Sequence, residues 1–326
     1  MNIAITGASG HIGSCLTREL IQKGFRVKVL VHNFDASLQK LDLEYVKGDL
    51  TDKFSLEKLC DNADVVFHLA AKIAIDKRDR DLVYKTNVQG TQNLIDICIK
   101  KDIKRFIHFS SIHAIDPHPL DEVLDENRAY IGKTKLIYEQ SKAESEKLVI
   151  NAANKGLNAI VLNPTAVVGP YDFKSSYLGQ ALIKIYENKL PMLVPGGYDW
   201  VDVRDIVDAA ISSITKGKSG ERFILSGHYL SLKKLSVMIG EISNQKTPKL
   251  IAPLFLAKIG LPFIKLYSYI ANEHPLYTSE SLDILKNSNK NISNSKAKDE
   301  LGYNTRPLEE TLRDAFKWYK ENGVIN

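Results

Sequence analysis

The sequence predicts an α/β protein: a doubly wound parallel sheet followed by a smaller, mostly helical C-terminal lobe. Three observations carry this reading. Strand-like and helix-like segments alternate through the first half of the chain, the pattern of βαβ units. The strand-like segments are apolar nearly throughout, as in Val27-Lys28-Val29-Leu30-Val31, which suits strands covered on both faces. The first of them runs straight into a glycine-rich turn and a helix. At 326 residues the chain has room for two lobes. The first is expected over residues 1–165, its sheet completed by about 200–228, with 166–326 forming an interleaved second lobe.

Taken in order, strands are expected at Asn2–Ile5, Arg26–Val31, Glu44–Lys47, Asp64–His68, Arg105–Ser110 and Ala159–Asn163. Helical periodicity marks His11–Lys23, Ser55–Cys60, Asp81–Lys100 and Glu139–Asn154. After Pro164 the rhythm loosens. Gly169-Pro170-Tyr171-Asp172 reads as a turn, followed by a helix near Gly179–Glu187 and a Pro/Gly-rich connection over 191–197. The run from Trp200 to Asp205 leads into a helix, with Asp205 expected as its N-cap. Glu221–Ser226 reads as one more strand, Ser231 as another N-cap, 286–298 as an Asn/Ser/Lys-rich loop, and Pro307 as the start of a final helix reaching Glu321.

Composition narrows the function classes. A net charge of +5, carried by scattered lysines, argues for solubility and against nucleic-acid binding. Cys15, Cys60 and Cys98 form no C-x-x-C pair and fall in apolar helical contexts, as reduced core thiols of a cytoplasmic protein would. No basic stretch followed by an apolar one opens the chain, so no secretory leader is expected. The apolar stretch 250–271 is interrupted by Pro253, Lys258, Pro262 and Lys265, so no membrane span is expected. No His/Cys/Asp cluster has the spacing of a metal site.

Three groups of residues carry chemistry. Gly7, Gly10 and Gly13 follow the first strand at G-x-x-G-x-x-G spacing and open a helix, an arrangement that cradles a phosphate on free N–H groups at a helix N-terminus. Tyr138 and Lys142 stand four apart on one helix face. An ammonium beside a phenol favours the phenolate and makes the tyrosine a usable acid/base. Ser110 and Ser111 end an apolar strand, where a ligand on the glycine loop would present its reactive end. Tyr229 and Lys233 repeat the four-residue spacing, but a cap at Ser231 leaves Tyr229 outside the helix.

With these residues in view, the chain resembles the extended branch of the short-chain dehydrogenase/reductase superfamily, within the NAD-dependent epimerase/dehydratase group. Thr6-Gly7-Ala8-Ser9-Gly10-His11-Ile12-Gly13 matches its glycine loop. Gly48-Asp49-Leu50 matches the segment whose Asp contacts adenine, and Val66-Phe67-His68-Leu69-Ala70-Ala71 the strand lying along the cofactor. Asn87-Val88-Gln89-Gly90-Thr91 matches the N-V-x-G-T helix, and Ser111, Tyr138 and Lys142 match the catalytic Ser and the Y-x-x-x-K pair. Asn163-Pro164-Thr165-Ala166-Val167-Val168-Gly169-Pro170-Tyr171-Asp172 has a form common among dihydroflavonol-4-reductase-like members. The resemblance implies a Rossmann sheet holding a nicotinamide dinucleotide. It also implies contacts from Gly7, Ser9, Gly10, His11, Ile12, Gly13, His32, Asp49, Leu50, Leu69, Ala70, Ala71, Asn87, Ser110, Tyr138, Lys142, Asn163, Pro164 and Thr165.

The implied activity is reduction of a ketone or aldehyde, or oxidation of the alcohol, with Tyr138 moving the proton and Ser111 orienting the carbonyl. The rival is a sugar-nucleotide epimerase or dehydratase with tightly bound NAD. Sugar-nucleotide epimerases usually follow the Ser with V-Y-G and the dehydratases with an acidic pair, whereas this chain has Ile112-His113-Ala114-Ile115-Asp116. Strand two is followed by His32, where an NAD-specific site carries an acid, which favours NADP; Asp35 keeps NAD as the alternative. His113, His118, Tyr171, Trp200 and Arg204 are candidates for the pocket wall, and Leu254, Phe255, Ile259, Phe263 and Ile264 hint at an apolar substrate. The helices at 81–100 and 139–154 are the pair through which a homodimer would form.

Overall fold

The computed structural model describes residues 1–33, 35–73, 79–132, 136–190, 192–248, 250–261, 282, 284–285 and 288–325. Its centre is a seven-stranded parallel sheet: β1 (Asn2–Thr6), β2 (Arg26–Val31), β3 (Glu44–Lys47), β4 (Val65–His68), β5 (Arg105–Phe109), β6 (Ala159–Pro164) and β9 (Arg222–Leu225). The spatial order is β3-β2-β1-β4-β5-β6-β9, so the chain reverses direction across the sheet between β1 and β4. In such sheets the crevice at the carboxyl edge beside that reversal is where ligands bind.

The continuous apolar strands are explained by burial on both faces. Ile3 and Ile5 of β1, with Val27 and Val29 of β2, face α1 (His11–Gln22) and α7 (Val203–Ser212). Ala4 and Leu30 face the other way, with α2 (Lys53–Cys60), α4 (Gly90–Lys100) and α5 (Ile137–Ala153). Cys15 is buried on the first face and Cys60 and Cys98 on the second; all three are free thiols. Burial pushes the Cys15 thiol up to about 12, which removes it from thiolate chemistry.

A second layer was only partly foreseen. β7 (Ala166–Val168), β8 (Gly197–Asp202) and β10 (His228–Ser231) form a three-stranded sheet in the order β10-β8-β7. It packs with α6 (Tyr177–Tyr186), α8 (Leu232–Ser243) and α10 (Leu308–Glu321) around Trp200, Leu312, Phe316 and Tyr319. Helices were expected here, and they form, but the small sheet was not. Its strands are too short for a clear period-two pattern. Part of the 286–298 stretch expected as a loop is helical, since α9 (Ser295–Leu301) begins inside it.

The stretch 80–100 is not one regular helix. α3 (Arg80–Tyr84) and α4 are joined by a π-helical turn over Lys85–Gln89. Asp205 does not cap α7. Asp202 does, accepting the Arg204 N–H at 2.8 Å, while the Asp205 carboxylate receives the backbone N–H of Arg306 at 2.8 Å. Residues 254–261 are helical; Leu254 packs inward, but Phe255 and Ile259 face outward, 62% and 64% exposed. The latter two therefore do not line a substrate cavity. Pro262, Phe263, Ile264 and Lys265 lie outside the described residues. Among those described, no helix is long and apolar enough to cross a membrane, and no His/Cys/Asp/Glu group has the makings of a metal site.

Candidate active site

A cavity of about 980 Å³ opens at the carboxyl edge of the large sheet. Its floor is the turn between β1 and α1: Gly7, Gly10, His11, Ile12 and Gly13 all line it. At Gly7 and Gly13 side chains are excluded by contact. A Cβ on Gly7, whose φ is +78°, would sit 2.6 Å from the Ala70 nitrogen, and one on Gly13 would sit 2.1 Å from the Gly7 carbonyl oxygen. The first turn of α1 has no side-chain cap and no acidic residue. Its N–H groups are thus left for an anion, which the helix dipole also favours. The turn fits the pyrophosphate of a dinucleotide.

Further along the cavity, Ser110 and Ser111 follow β5, and Tyr138 stands in the first turn of α5. The Ser110 hydroxyl is buried with no partner among the described residues. Ser111 Oγ accepts the His113 N–H at 3.2 Å, which leaves its own proton to donate; its side chain also bonds to Tyr138. Lys142 is buried, and Nζ donates to the Phe109 carbonyl at 2.8 Å. Burial lowers the Lys142 ammonium to about 8, with Glu146 one turn further opposing the shift.

The expected depression of Tyr138 is not what this environment produces. Desolvation raises the phenol to about 12, against a smaller downward pull from the Ser111 hydrogen bond. The ammonium is occupied by the strand carbonyl, and among the described residues the Ser111 hydrogen bond does not offset the desolvation of the phenolate.

A hydrogen-bonded line connects the floor to the catalytic-helix candidate. Ala70 N–H donates to Thr6 Oγ1 at 3.3 Å, and Thr6 Oγ1 lies 2.7 Å from His68 Nδ1. His68 Nε2 lies 2.8 Å from Thr91 Oγ1, which donates to the Asn87 carbonyl at 2.6 Å. The directions follow from the ends. Thr91 spends its proton on Asn87, so it accepts from His68 Nε2–H, and neutral His68 then accepts the Thr6 proton at Nδ1. Burial, with Lys142 adding to it, holds His68 neutral by lowering it to about 3. The Asn87 side chain bonds both backbone groups of Lys72 at 2.7 and 3.0 Å and donates to Ser141 Oγ at 2.9 Å. Ser141 in turn donates to the Tyr138 carbonyl at 2.8 Å. The π-helical turn is what places Asn87 between these partners.

Of the remaining expected contacts, Leu69, Ala71, Pro164 and Thr165 line the cavity. Ala70, Asn87 and Asn163 stand behind its wall; Asn163 donates to the Ser111 carbonyl at 3.1 Å and to Glu146 at 2.7 Å. His32 and Asp49 follow β2 and β3, Asp49 accepting from Thr51 at 2.6 Å, and Leu50 is buried against Gly90. His11 contributes its ring to the Pro170 carbonyl at 3.0 Å. Ser9 receives a hydrogen bond from Lys174 at 2.9 Å.

His113 and His118 do reach the cavity. Trp200 and Arg204 do not: Trp200 is 1% exposed in the second core, and Arg204 pairs with Asp202 and Asp314 at 2.7 and 2.6 Å. Tyr171 packs against Trp318. Residues with no signal in the sequence take their place. Lys174, Tyr177 and Gln180 come from the segment before and within α6, and Glu139 from beside Tyr138.

Residues 3–226 match the model of the NAD dependent epimerase/dehydratase family. The chain belongs to that family. It is an NAD(P)-dependent enzyme of the extended short-chain dehydrogenase/reductase type, on the Rossmann-like sheet described above. Among similar members, sterol demethylase protein B of Methylococcus capsulatus is 29% identical across 100% of both chains. Dihydroflavonol 4-reductase of Arabidopsis thaliana is 29% identical over 72% of this chain and 67% of its own. The crystal structure of gox2253 superimposes with a TM-score of 0.85 at 29% identity, covering 100% and 99% of the two chains. The UDP-glucose 4-epimerase of Thermotoga maritima, at 21% identity, 99% coverage of both chains and a TM-score of 0.79, shares the fold.

Proposed function

We propose that this family member is an NADP(H)-dependent oxidoreductase that reduces a ketone or aldehyde, or oxidises the corresponding alcohol. One observation carries the choice over a sugar-nucleotide epimerase. The cavity lining is more apolar than polar, with Ile115, Pro117, Leu124, Leu136, Val167 and Leu178 among its residues. Apart from histidines, the cations among its described lining residues are Lys142 and Lys174. Lys142 lies against Phe109 and Lys174 against the glycine loop, so neither serves the substrate end. Among the described lining residues, a nucleoside diphosphate sugar would find no lysine or arginine left there to pair with its diphosphate.

Bound nicotinamide dinucleotide supplies or accepts the hydride. Ser111, beside Tyr138, turns its hydroxyl proton to hold the substrate oxygen. Tyr138 gives that oxygen its proton in reduction and takes it back in oxidation. Lys142, at the Phe109 carbonyl, steadies the cofactor ribose. NADP is supported by His32 in the position of the acid expected of an NAD site. It is supported also by the engagement of the first acid after β2, Asp35, with Lys174 at 2.8 Å and with the Ser37 N–H at 3.0 Å. Residues 1–165 and the 200–228 region serve the cofactor and 166–326 the substrate, in a cytoplasmic enzyme whose thiols stay reduced.

The test is stoichiometric. Purified protein is offered NADPH with a panel of apolar ketones and aldehydes, and one mole of NADPH should be oxidised per mole of alcohol formed. An epimerase would convert a sugar nucleotide without net NADPH consumption, and that result would replace this reading.

A further inference from the structure

Lys174 occupies a place that the activity above does not explain. It lies between β7 and α6, and its ammonium contacts two groups remote in sequence: Ser9 Oγ at 2.9 Å and Asp35 Oδ2 at 2.8 Å. Ser9 belongs to the glycine loop, while Asp35 follows β2, the strand beside β1 on the side away from β4. In doubly wound sheets the pyrophosphate lies on the helix N-terminus, and the adenosine ribose hydroxyls meet the end of the second strand. Lys174 thus stands at the ribose corner.

The segment that carries it is fastened down. His11 bonds the Pro170 carbonyl at 3.0 Å, and Ser14 donates to the Tyr171 carbonyl at 2.8 Å. The Arg18 guanidinium lies 4.6 Å from the Phe173 ring centroid, and Phe173 meets Trp318 edge-on at 4.9 Å. These contacts hold the backbone next to Lys174 against α1, so the ammonium is delivered by a packed strap. Asp35 alone would repel a phosphate at this corner. Paired with Lys174, it presents no net charge, and the ammonium keeps one donor beyond those on Ser9 and Asp35.

We propose that Lys174, together with Ser9, is the receptor for the 2′-phosphate of NADP, with Asp35 holding the ammonium in position when no phosphate is present. The proposal rests on the NADP reading above and names the residue that enforces it. An incoming 2′-phosphate would take over Lys174 by a charge-assisted hydrogen bond, with the Ser9 hydroxyl as a second donor.

The test uses fragments that need no hydride transfer. Dissociation constants for 2′,5′-ADP and 5′-ADP are measured by calorimetry on the full-length wild type, Lys174→Met and Lys174→Arg. The wild type should bind 2′,5′-ADP more tightly. Lys174→Met should weaken 2′,5′-ADP by roughly 10–100-fold, leave 5′-ADP within about threefold, and Lys174→Arg should recover most of the loss. Equal weakening of both ligands would make Lys174 a pyrophosphate clamp, and no weakening would leave it a surface ion pair; either overturns the proposal while the NADP preference stands. A wild type that prefers 5′-ADP would instead remove the NADP reading and this inference with it. Lys174 is 58% exposed at its side chain, so the fold does not depend on it, and unchanged circular dichroism checks this.

Discussion

Lys142 Nζ donates to the carbonyl oxygen of Phe109 at 2.8 Å, and it is this bond that separates the ammonium from the role its spacing to Tyr138 suggests. The two side chains share a helix face, yet the phenol is raised to about 12 by desolvation. In the cofactor-free protein, Tyr138 is therefore a poor base.

The first prediction follows from that state. The phenolate absorbance attributable to Tyr138, taken as the difference between wild type and Tyr138→Phe, should appear near pH 12 without cofactor. Saturating NADP+ should move it downward, because a positive charge near the phenol favours the phenolate. If the difference titration stays in place when cofactor is added, Lys142 and the cofactor do not tune Tyr138.

Lys142 also makes a stability prediction with a defined sign. Its folded value of about 8 lies below the unfolded value near 10.5. Between these the unfolded chain binds more protons, so stability rises with pH across that window. Below about pH 8 the group costs the fold on the order of 3 kcal/mol, and above about 10.5 that cost is gone. Urea melts of cofactor-free wild type and Lys142→Met, compared from pH 7 to 10.5, should show the wild type gaining on the variant as pH rises. A constant difference would mean that Lys142 is not desolvated as described. The buried thiols and phenols act in both proteins alike and drop out of the comparison.

His68→Leu tests the buried line from Ala70 to Tyr138. Leucine fills the volume but leaves the Thr6 hydroxyl proton without an acceptor and Thr91 without its His68 donor, at a cost of roughly 1–3 kcal/mol for the buried unpaired proton. The expected result is a lower urea midpoint together with a loss in kcat that exceeds any change in NADP(H) affinity. That split follows because the far end of the line holds the Tyr138 carbonyl through Ser141. A variant with wild-type kcat would show that the line only supports the fold.

The central sheet was legible because each strand alternates between two cores. Ile3, Ala4 and Ile5 face opposite helical layers in turn, so an unbroken apolar run was the right signal. The glycine loop was legible for the same local reason: strand, turn and helix are adjacent in sequence. What escaped was set by distant partners. Asp202 and Asp205 both precede or open the same helix, and only the position of Arg306 decides that Asp205 turns away from capping. Trp200 read as a pocket candidate because its place in β8, in the buried cluster that also holds Leu182 and Phe316, depends on a three-stranded sheet of short strands. Lys174 gave no signal at all, since its partners are Ser9 and Asp35 and nothing in Tyr171-Asp172-Phe173-Lys174 suggests a phosphate.

The most direct test of the account is hydride transfer by Tyr138→Phe. With both hydrogens at nicotinamide C4 of NADPH replaced by deuterium and a ketone that the wild type reduces, the wild type should yield alcohol carrying one deuterium on the carbinol carbon. Tyr138→Phe should bind NADPH with an unchanged dissociation constant and form product at least about 100-fold more slowly, the range of a lost general acid. Wild-type turnover by Tyr138→Phe, or product without deuterium at that carbon, would contradict it.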